Sequence, residues 1–203
     1  MSRFDLDWIR TRVAGHQPRA IGQEVAPRRA AVAVILRFPP ATVRCEILFI
    51  KRTHHTTDPW AGHMAFPGGR VEPDDTSALQ AARRETLEEV GIDLERAAEL
   101  LGQLDDVQAR ARGTVMPMAI TPFVFHLPGE VLTRCNDEVE ETLWVPVATL
   151  LDPASATTVP YELHAQHYDL PGFGVSGQVI WGLTYQMLFG LFNVLEWSPS
   201  VQR

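Results

Sequence analysis

Residues 68–92 read GGRVEPDDTSALQAARRETLEEVGI. At their centre, Arg84-Glu85-Thr86-Leu87-Glu88-Glu89 packs three carboxylates and an arginine into a single short run. On a helix, at about 100° of turn per residue, Glu85 and Glu89 lie nearly one above the other and Glu88 falls within a turn of both. Like charges placed that close repel one another and do not serve stability. A hard divalent cation, which takes oxygen ligands, converts the repulsion into attraction. Glutamate is a good helix former, so a Glu-rich face is ordinarily only a solvated face. The rest of this helix argues otherwise. Ala78, Ala81 and Ala82 flank the carboxylate arc, while Leu79, Thr86, Leu87 and Val90 gather on another side. That pattern predicts core contact through the leucines and an uncluttered carboxylate side.

Upstream, Phe66-Pro67-Gly68-Gly69 reads as a strand end followed by a turn that glycines make at little cost. Asp74, Asp75, Thr76 and Ser77 offer N-caps for a helix over 77–90, and Gly91 ends it. Strand, glycine loop, capped helix and glycine stop follow in immediate succession.

Working outward, Asp5 to Val13 predicts a short amphipathic helix. Ala30 to Phe38, rich in Val and Ile, predicts a buried strand with Glu46 to Arg52 as its hairpin partner. Gly62 to Phe66 leads into the glycine loop. Leu100–Leu104 and Met118–His126 predict further strands, joined by a loop carrying Arg110 and Arg112. Thr142–Val147 predicts a strand, and Val147–Leu151 a short helix. A C-terminal helix is expected over 178–197. Strands interleaved with helices predict an α/β fold, a three-layer α/β/α sandwich around a mixed central sheet.

The chain has 203 residues and 45% hydrophobic content, enough for one domain with a substantial core. The expected organisation is a single domain over 1–203, with 1–29 as an N-terminal extension. Net charge of −7 disfavours broad nucleic-acid binding. Cys45 and Cys135 form no CxxC pair, which points to reduced thiols and a cytoplasmic protein. His54-His55 and His164/His167 lack zinc partners. The N-terminus, with acid at Asp5 and no apolar run, does not read as a signal peptide. Val179–Leu195 is interrupted by Gly182, Thr184, Gln186, Gly190 and Asn193, so a buried helix is expected rather than a membrane span.

The central segment resembles the Nudix box: Gly, five residues, Glu, seven residues, Arg-Glu, an aliphatic, any residue, Glu-Glu, any residue, Gly, aliphatic. Arg84, Glu85, Glu88, Glu89, Gly91 and Ile92 match directly. Three positions depart. The spacing from Gly69 to Arg84 is one residue longer, Asp75 stands for the upstream Glu, and Thr86 replaces the aliphatic residue. The longer, Asp-bearing loop is similar to the coenzyme A pyrophosphatase subset. So are Gly62-His63-Met64-Ala65-Phe66-Pro67-Gly68-Gly69, Leu101-Gly102-Gln103-Leu104-Asp105-Asp106 and Ile180-Trp181-Gly182-Leu183-Thr184. Against that subset, Leu48-Phe49-Ile50-Lys51-Arg52-Thr53 differs from its Leu-Leu-Thr-x-Arg-Ser signature, and no Arg lies between Thr53 and Gly62.

The resemblance implies the Nudix fold and hydrolysis of a nucleoside diphosphate derivative with Mg²⁺ or Mn²⁺. Glu85, Glu88, Glu89 and the Gly69 carbonyl are then the metal ligands. Arg84 forks onto a carboxylate to hold it. Glu138 or Glu141, in Asn136-Asp137-Glu138-Val139-Glu140-Glu141, matches a further catalytic acid of many Nudix enzymes. Whether Glu88 or Glu138 activates the water stays open. Lys51, Arg52, Arg70, Arg110 and Arg112 are the expected phosphate and substrate contacts. Asp105-Asp106 either shapes the site or starts a turn. The favoured substrate is coenzyme A or an acyl-coenzyme A. The alternatives are ADP-ribose, a dinucleotide or an altered nucleoside triphosphate, and a non-catalytic Nudix-like binding domain. Like charges kept together at Arg84–Glu89 speak against the last. A small-molecule partner is expected, with no nucleic acid and no membrane, and a homodimer is compatible with the sequence.

Overall fold

The computed structural model describes residues 5–40, 44–54, 60–111, 113–163 and 166–197. In chain order the elements are α1 (Leu6–Ala14), β1 (Arg28–Arg37), β2 (Glu46–Arg52), β3 (Met64–Ala65), β4 (Gly68–Arg70), α2 (Ala78–Val90) and α3 (Leu94–Ala97). There follow β5 (Glu99–Gln103), β6 (Val107–Ala111), β7 (Thr114–His126), β8 (Val139–Pro146), α4 (Val147–Leu150), β9 (Ala156–Leu163), β10 (Gln166–Val175), β11 (Gln178–Trp181) and α5 (Gly182–Val194).

The main sheet is mixed. β1 runs parallel to β7, in register from Arg28↔Met118 to Leu36↔His126, while its pairings with β2 and β4 are antiparallel. Because β1 is covered on both faces, its apolar residues run continuously rather than alternating, and Ala30 to Leu36 are all buried. Ala31, Ala33, Ile35, Leu48 and Ile50 pack on the α2 side. Val32, Val34, Leu36, Ile47 and Phe49 pack on the other side with Ile9 and Val13 of α1 and Leu188, Leu191 and Phe192 of α5. The layering is therefore the α/β/α order that the pattern predicts. The N-terminal helix of the expected extension is part of the core.

Four expectations change. Residues 107–111 form strand β6 rather than a loop, so Arg110 lies on a strand and Arg112 lies outside the described residues. The partner of β7 switches from β6 (Val107↔Ile120) to β5 (Gln103↔Phe123) on either side of Pro122, which has no N–H to donate. Only Met64–Ala65 of 62–66 is strand. The expected helix over 178–197 begins as strand β11 and becomes helical at Gly182. β9 and β10, which the sequence pattern did not announce, form with β11 a separate three-stranded sheet. Residues along β9 alternate between exposed and half-buried, so no apolar face marks them in sequence.

The orientation of α2 differs from expectation in part: Thr86 and Val90 are buried and Leu79 packs inward as predicted, but the alanine side is buried too. Ala81 and Ala82 are fully buried against the sheet, and Leu87 is 49% exposed. The small side chains let the helix lie close to β1 and β4, which carries Glu89 inward. Ser77 caps the helix by accepting from the Gln80 N–H at 3.2 Å, and Gly91 ends it in the left-handed region at φ 71°. Thr86 settles its hydroxyl within the helix by donating to the Ala82 carbonyl at 2.7 Å, which lets a polar residue occupy an aliphatic position.

Candidate active site

A cavity of about 520 Å³ opens where β1 and β4 meet. One wall is ionic. Glu85, Glu88, Glu89 and Arg84 reach it from α2, Gly68, Gly69 and Arg70 from β4, Arg52 from the end of β2, and Glu138 from the loop before β8.

Arg84 organises this wall. Its Nε and Nη2 donate to the two Asp75 carboxylate oxygens at 3.2 and 2.9 Å, the fork expected of a guanidinium on a carboxylate. Nη2 also donates to the Arg70 carbonyl at 3.1 Å, tying the helix to strand β4. Nη1 reaches Glu85 at 2.9 Å and Glu88 at 3.3 Å. The Asp75 side chain is 2% exposed, and the Arg84 guanidinium holds its carboxyl below the usual range. Asp75, read from sequence as a stand-in for a glutamate, is the anchor on which Arg84 is fixed.

Glu89 is 1% exposed. Its Oε2 accepts from the Gly68 N–H at 2.8 Å and its Oε1 lies 3.7 Å from Arg52 Nη1. Burial pushes its carboxyl up to about 8, against the opposing pull of the Gly68 N–H and Arg52. Glu85 is likewise raised by burial and lowered by Arg84. Its carboxylate lies over Gly69, where an added Cβ would sit 2.4 Å from the Glu85 Cδ. Gly68, at φ 144°, allows no Cβ at all, since one would meet the Ala31 carbonyl at 2.2 Å.

The loop bearing Glu138 is pinned to the end of α2. The Arg134 N–H donates to the Val90 carbonyl at 2.9 Å and the Asn136 N–H to the Glu89 carbonyl at 3.0 Å. Asn136 Oδ1 then accepts from the Glu138 N–H at 2.9 Å. Glu141 instead accepts from Gln178 at 3.3 Å and does not line the cavity.

The oxygen donors of this wall suit a hard cation. Among the described residues, however, no three acidic, histidine or cysteine side chains are gathered into a ready metal cage. The carboxylates are held on Arg84, Gly68 and Arg52 instead, and a cation would take over the neutralising role of those partners.

The structure brings together Gly69, Arg70, Arg52, Arg84, Glu85, Glu88, Glu89 and Glu138. It does not bring Lys51 or Arg110 to the cavity. Lys51 pairs with Glu140 at 2.7 Å, and Arg110 is exposed, with its carbonyl accepting from Trp60 Nε1 at 3.3 Å. Asp105 and Asp106 serve structure: Asp105 accepts from Arg19 and pairs with His16, and Asp106 takes the Arg29 guanidinium at 2.8 Å and the Thr121 hydroxyl at 2.7 Å. The opposite wall, formed by Trp60, His63, Met118, Trp181, Leu183 and Met187, was not marked as a site by charge or spacing. No helix of the described residues is long and apolar enough to cross a membrane.

Residues 27–166 match the sequence profile of the NUDIX domain. A Schizosaccharomyces pombe protein, C14C4.10c, is 39% identical over 150 residues, covering 66% of this chain and 46% of its own length. The chain thus spans about half of that relative. The mouse mitochondrial coenzyme A diphosphatase NUDT8 is 30% identical over 163 residues, covering 78% of this chain and 73% of its own. The crystal structure of a MutT/nudix family protein from Enterococcus faecalis shares the fold, with a TM-score of 0.53 at 16% identity over 95% of this chain and 70% of its own. The chain belongs to the Nudix family.

Proposed function

We propose that this Nudix enzyme uses Mg²⁺ or Mn²⁺ to hydrolyse the diphosphate of coenzyme A or an acyl-coenzyme A, giving a phosphopantetheine product and adenosine 3′,5′-bisphosphate. The observation that carries the chemistry is the Asp75–Arg84 fork that holds Glu85 and Glu88 beside Glu89 at a glycine-floored cavity. The substrate reading is supported by the likeness to the mouse coenzyme A diphosphatase and by the loop one residue longer than the box.

Glu85, Glu88, Glu89 and the Gly69 carbonyl are the groups that would hold the cation, which when bound neutralises the diphosphate and polarises an attacking water. The chain's own part is orientation and proton handling. Arg84, locked on Asp75, keeps Glu85 and Glu88 from turning away from the cavity. Arg52 and Arg70 contact phosphate oxygens. Glu88 or Glu138 accepts the proton of the water as its oxygen bonds to one phosphorus and the bridging P–O bond breaks. A cytoplasmic location fits the two free thiols, Cys45 buried and Cys135 exposed.

ADP-ribose or a dinucleotide is the second reading, favoured by the absence of an Arg between Thr53 and Gly62. The test is a panel of diphosphate substrates with Mg²⁺ and with Mn²⁺, products read by mass. Coenzyme A is expected to give the highest kcat/KM. A higher value for ADP-ribose or a dinucleotide overturns the substrate, and inactivity on every compound with metal bound overturns catalysis.

A further inference from the structure

Opposite the carboxylates, the His63 and Trp181 rings lie with centroids 4.6 Å apart at 47°, and Tyr161 continues the row 6.1 Å beyond Trp181. Trp181 ends β11, paired to Gly172 of β10, and the next residue opens α5. Trp181, Leu183 and Met187 all lie beyond residue 166, where the match to the family profile stops. This wall is therefore built in part by chain beyond the matched domain, and it lines the same cavity as the carboxylates.

Its surface is mostly carbon, sulfur and ring face, with ring nitrogens at His63 and Trp181, and two further polar atoms are engaged within the protein. The Thr184 hydroxyl donates to the Met64 carbonyl at 2.8 Å, and Trp60 Nε1 to the Arg110 carbonyl at 3.3 Å. An amide-bearing arm laid here would bury several N–H and C=O groups against a mostly apolar surface with few polar groups to replace their water. A planar heterocycle instead buries its faces, which gain from tilted or offset stacking, and keeps its polar edge toward the cavity mouth.

We propose that Trp181 is a specificity-determining residue: with His63 it forms the platform on which the nucleobase of the substrate stacks, while the carboxylate wall holds the diphosphate. This rests on the carboxylate wall being a diphosphate site, and it holds whichever nucleotide derivative is cleaved. The arm of the substrate then leaves the cavity on the side away from the aromatic row.

The test is calorimetric binding to the full chain of two probes that carry no diphosphate to hydrolyse. Adenosine 3′,5′-bisphosphate carries the base, and 4′-phosphopantetheine carries the amide arm. Trp181→Ala is expected to weaken the bisphosphate by roughly 5- to 150-fold, the range of base–aromatic stacking, and to leave phosphopantetheine within about twofold. Trp181→Phe restores most of the loss. His63→Ala shifts the same probe in the same direction, and it carries the comparison if Trp181→Ala does not fold by circular dichroism. Equal weakening of both probes, weakening of phosphopantetheine alone, no change in either, or no binding of the bisphosphate to the wild type overturns the proposal. A wild type that binds the bisphosphate through Trp181 but hydrolyses no diphosphate overturns the proposed function and leaves this assignment standing.

Discussion

The two walls of the cavity are held by different forces. The carboxylate wall is a web of charge: one guanidinium serves Asp75, Glu85 and Glu88, and a glycine N–H serves Glu89. The aromatic wall is held largely by packing, with Met187 among the α5 residues in the core, together with the Thr184 hydroxyl bond to β3 and the Trp60 Nε1 bond to the Arg110 carbonyl. Charge interactions demand fixed residue types at fixed spacing, because a carboxylate moved by one position leaves its partner unpaired. Packing demands only volume and shape, which several side chains can meet. The first wall thus constrains residue type and spacing, and the second constrains volume and shape.

The largest effect that would break this contrast is at Glu89. Glu89→Gln keeps the acceptor for the Gly68 N–H but removes the charge, and kcat is expected to fall about 10²- to 10³-fold. Burial already makes that charge costly, so melting should stay level or rise. A retained kcat would show that Glu89 is structural. Next come the adjacent glycines. Gly68→Ala drives a Cβ into the Ala31 carbonyl at an unfavourable φ, and should cost about 3 kcal/mol, read as a drop in Tm of roughly 6–12 °C. Gly69→Ala meets only the end of the Glu85 side chain, so Tm should hold while kcat falls about 100-fold through the displaced carboxylate. Similar stability losses in both would show that the Glu85 contact is not confined to the site. The smallest effect is expected at Lys51. Its partner Glu140 is 44% exposed, so Lys51→Ala should leave Tm nearly unchanged and kcat/KM within about twofold. A large rise in KM would return Lys51 to the substrate.

Much of the carboxylate wall was legible because it is local. Helix periodicity places Glu85, Glu88 and Glu89 together whatever surrounds the helix, and Ser77 and Gly91 mark its ends by backbone rules alone. The face that the helix buries was read only in part: Thr86 and Val90 are buried and Leu79 packs inward as expected, but the alanine side is buried as well. Leucine side chains suggested the core side, but close approach to β1 and β4 required Ala81 and Ala82 there and left Leu87 exposed. Lys51 and Arg52 are neighbours in sequence, yet the register shift between them accompanies different fates, an ion pair with Glu140 and a place at the cavity. Sheet pairing sets that difference, and pairing partners are many residues away.

By itself the sequence placed spaced carboxylates on one arc of a capped helix after a glycine turn, a set that suits a cation and a diphosphate, because helix periodicity is local. Only the tertiary structure decided what sits across from it. The meeting of His63, Met118 and Trp181 depends on β3, β7 and β11 converging at one end of the fold. No local periodicity encodes a contact between residues so far apart, because packing fixes it through shape and not through spacing.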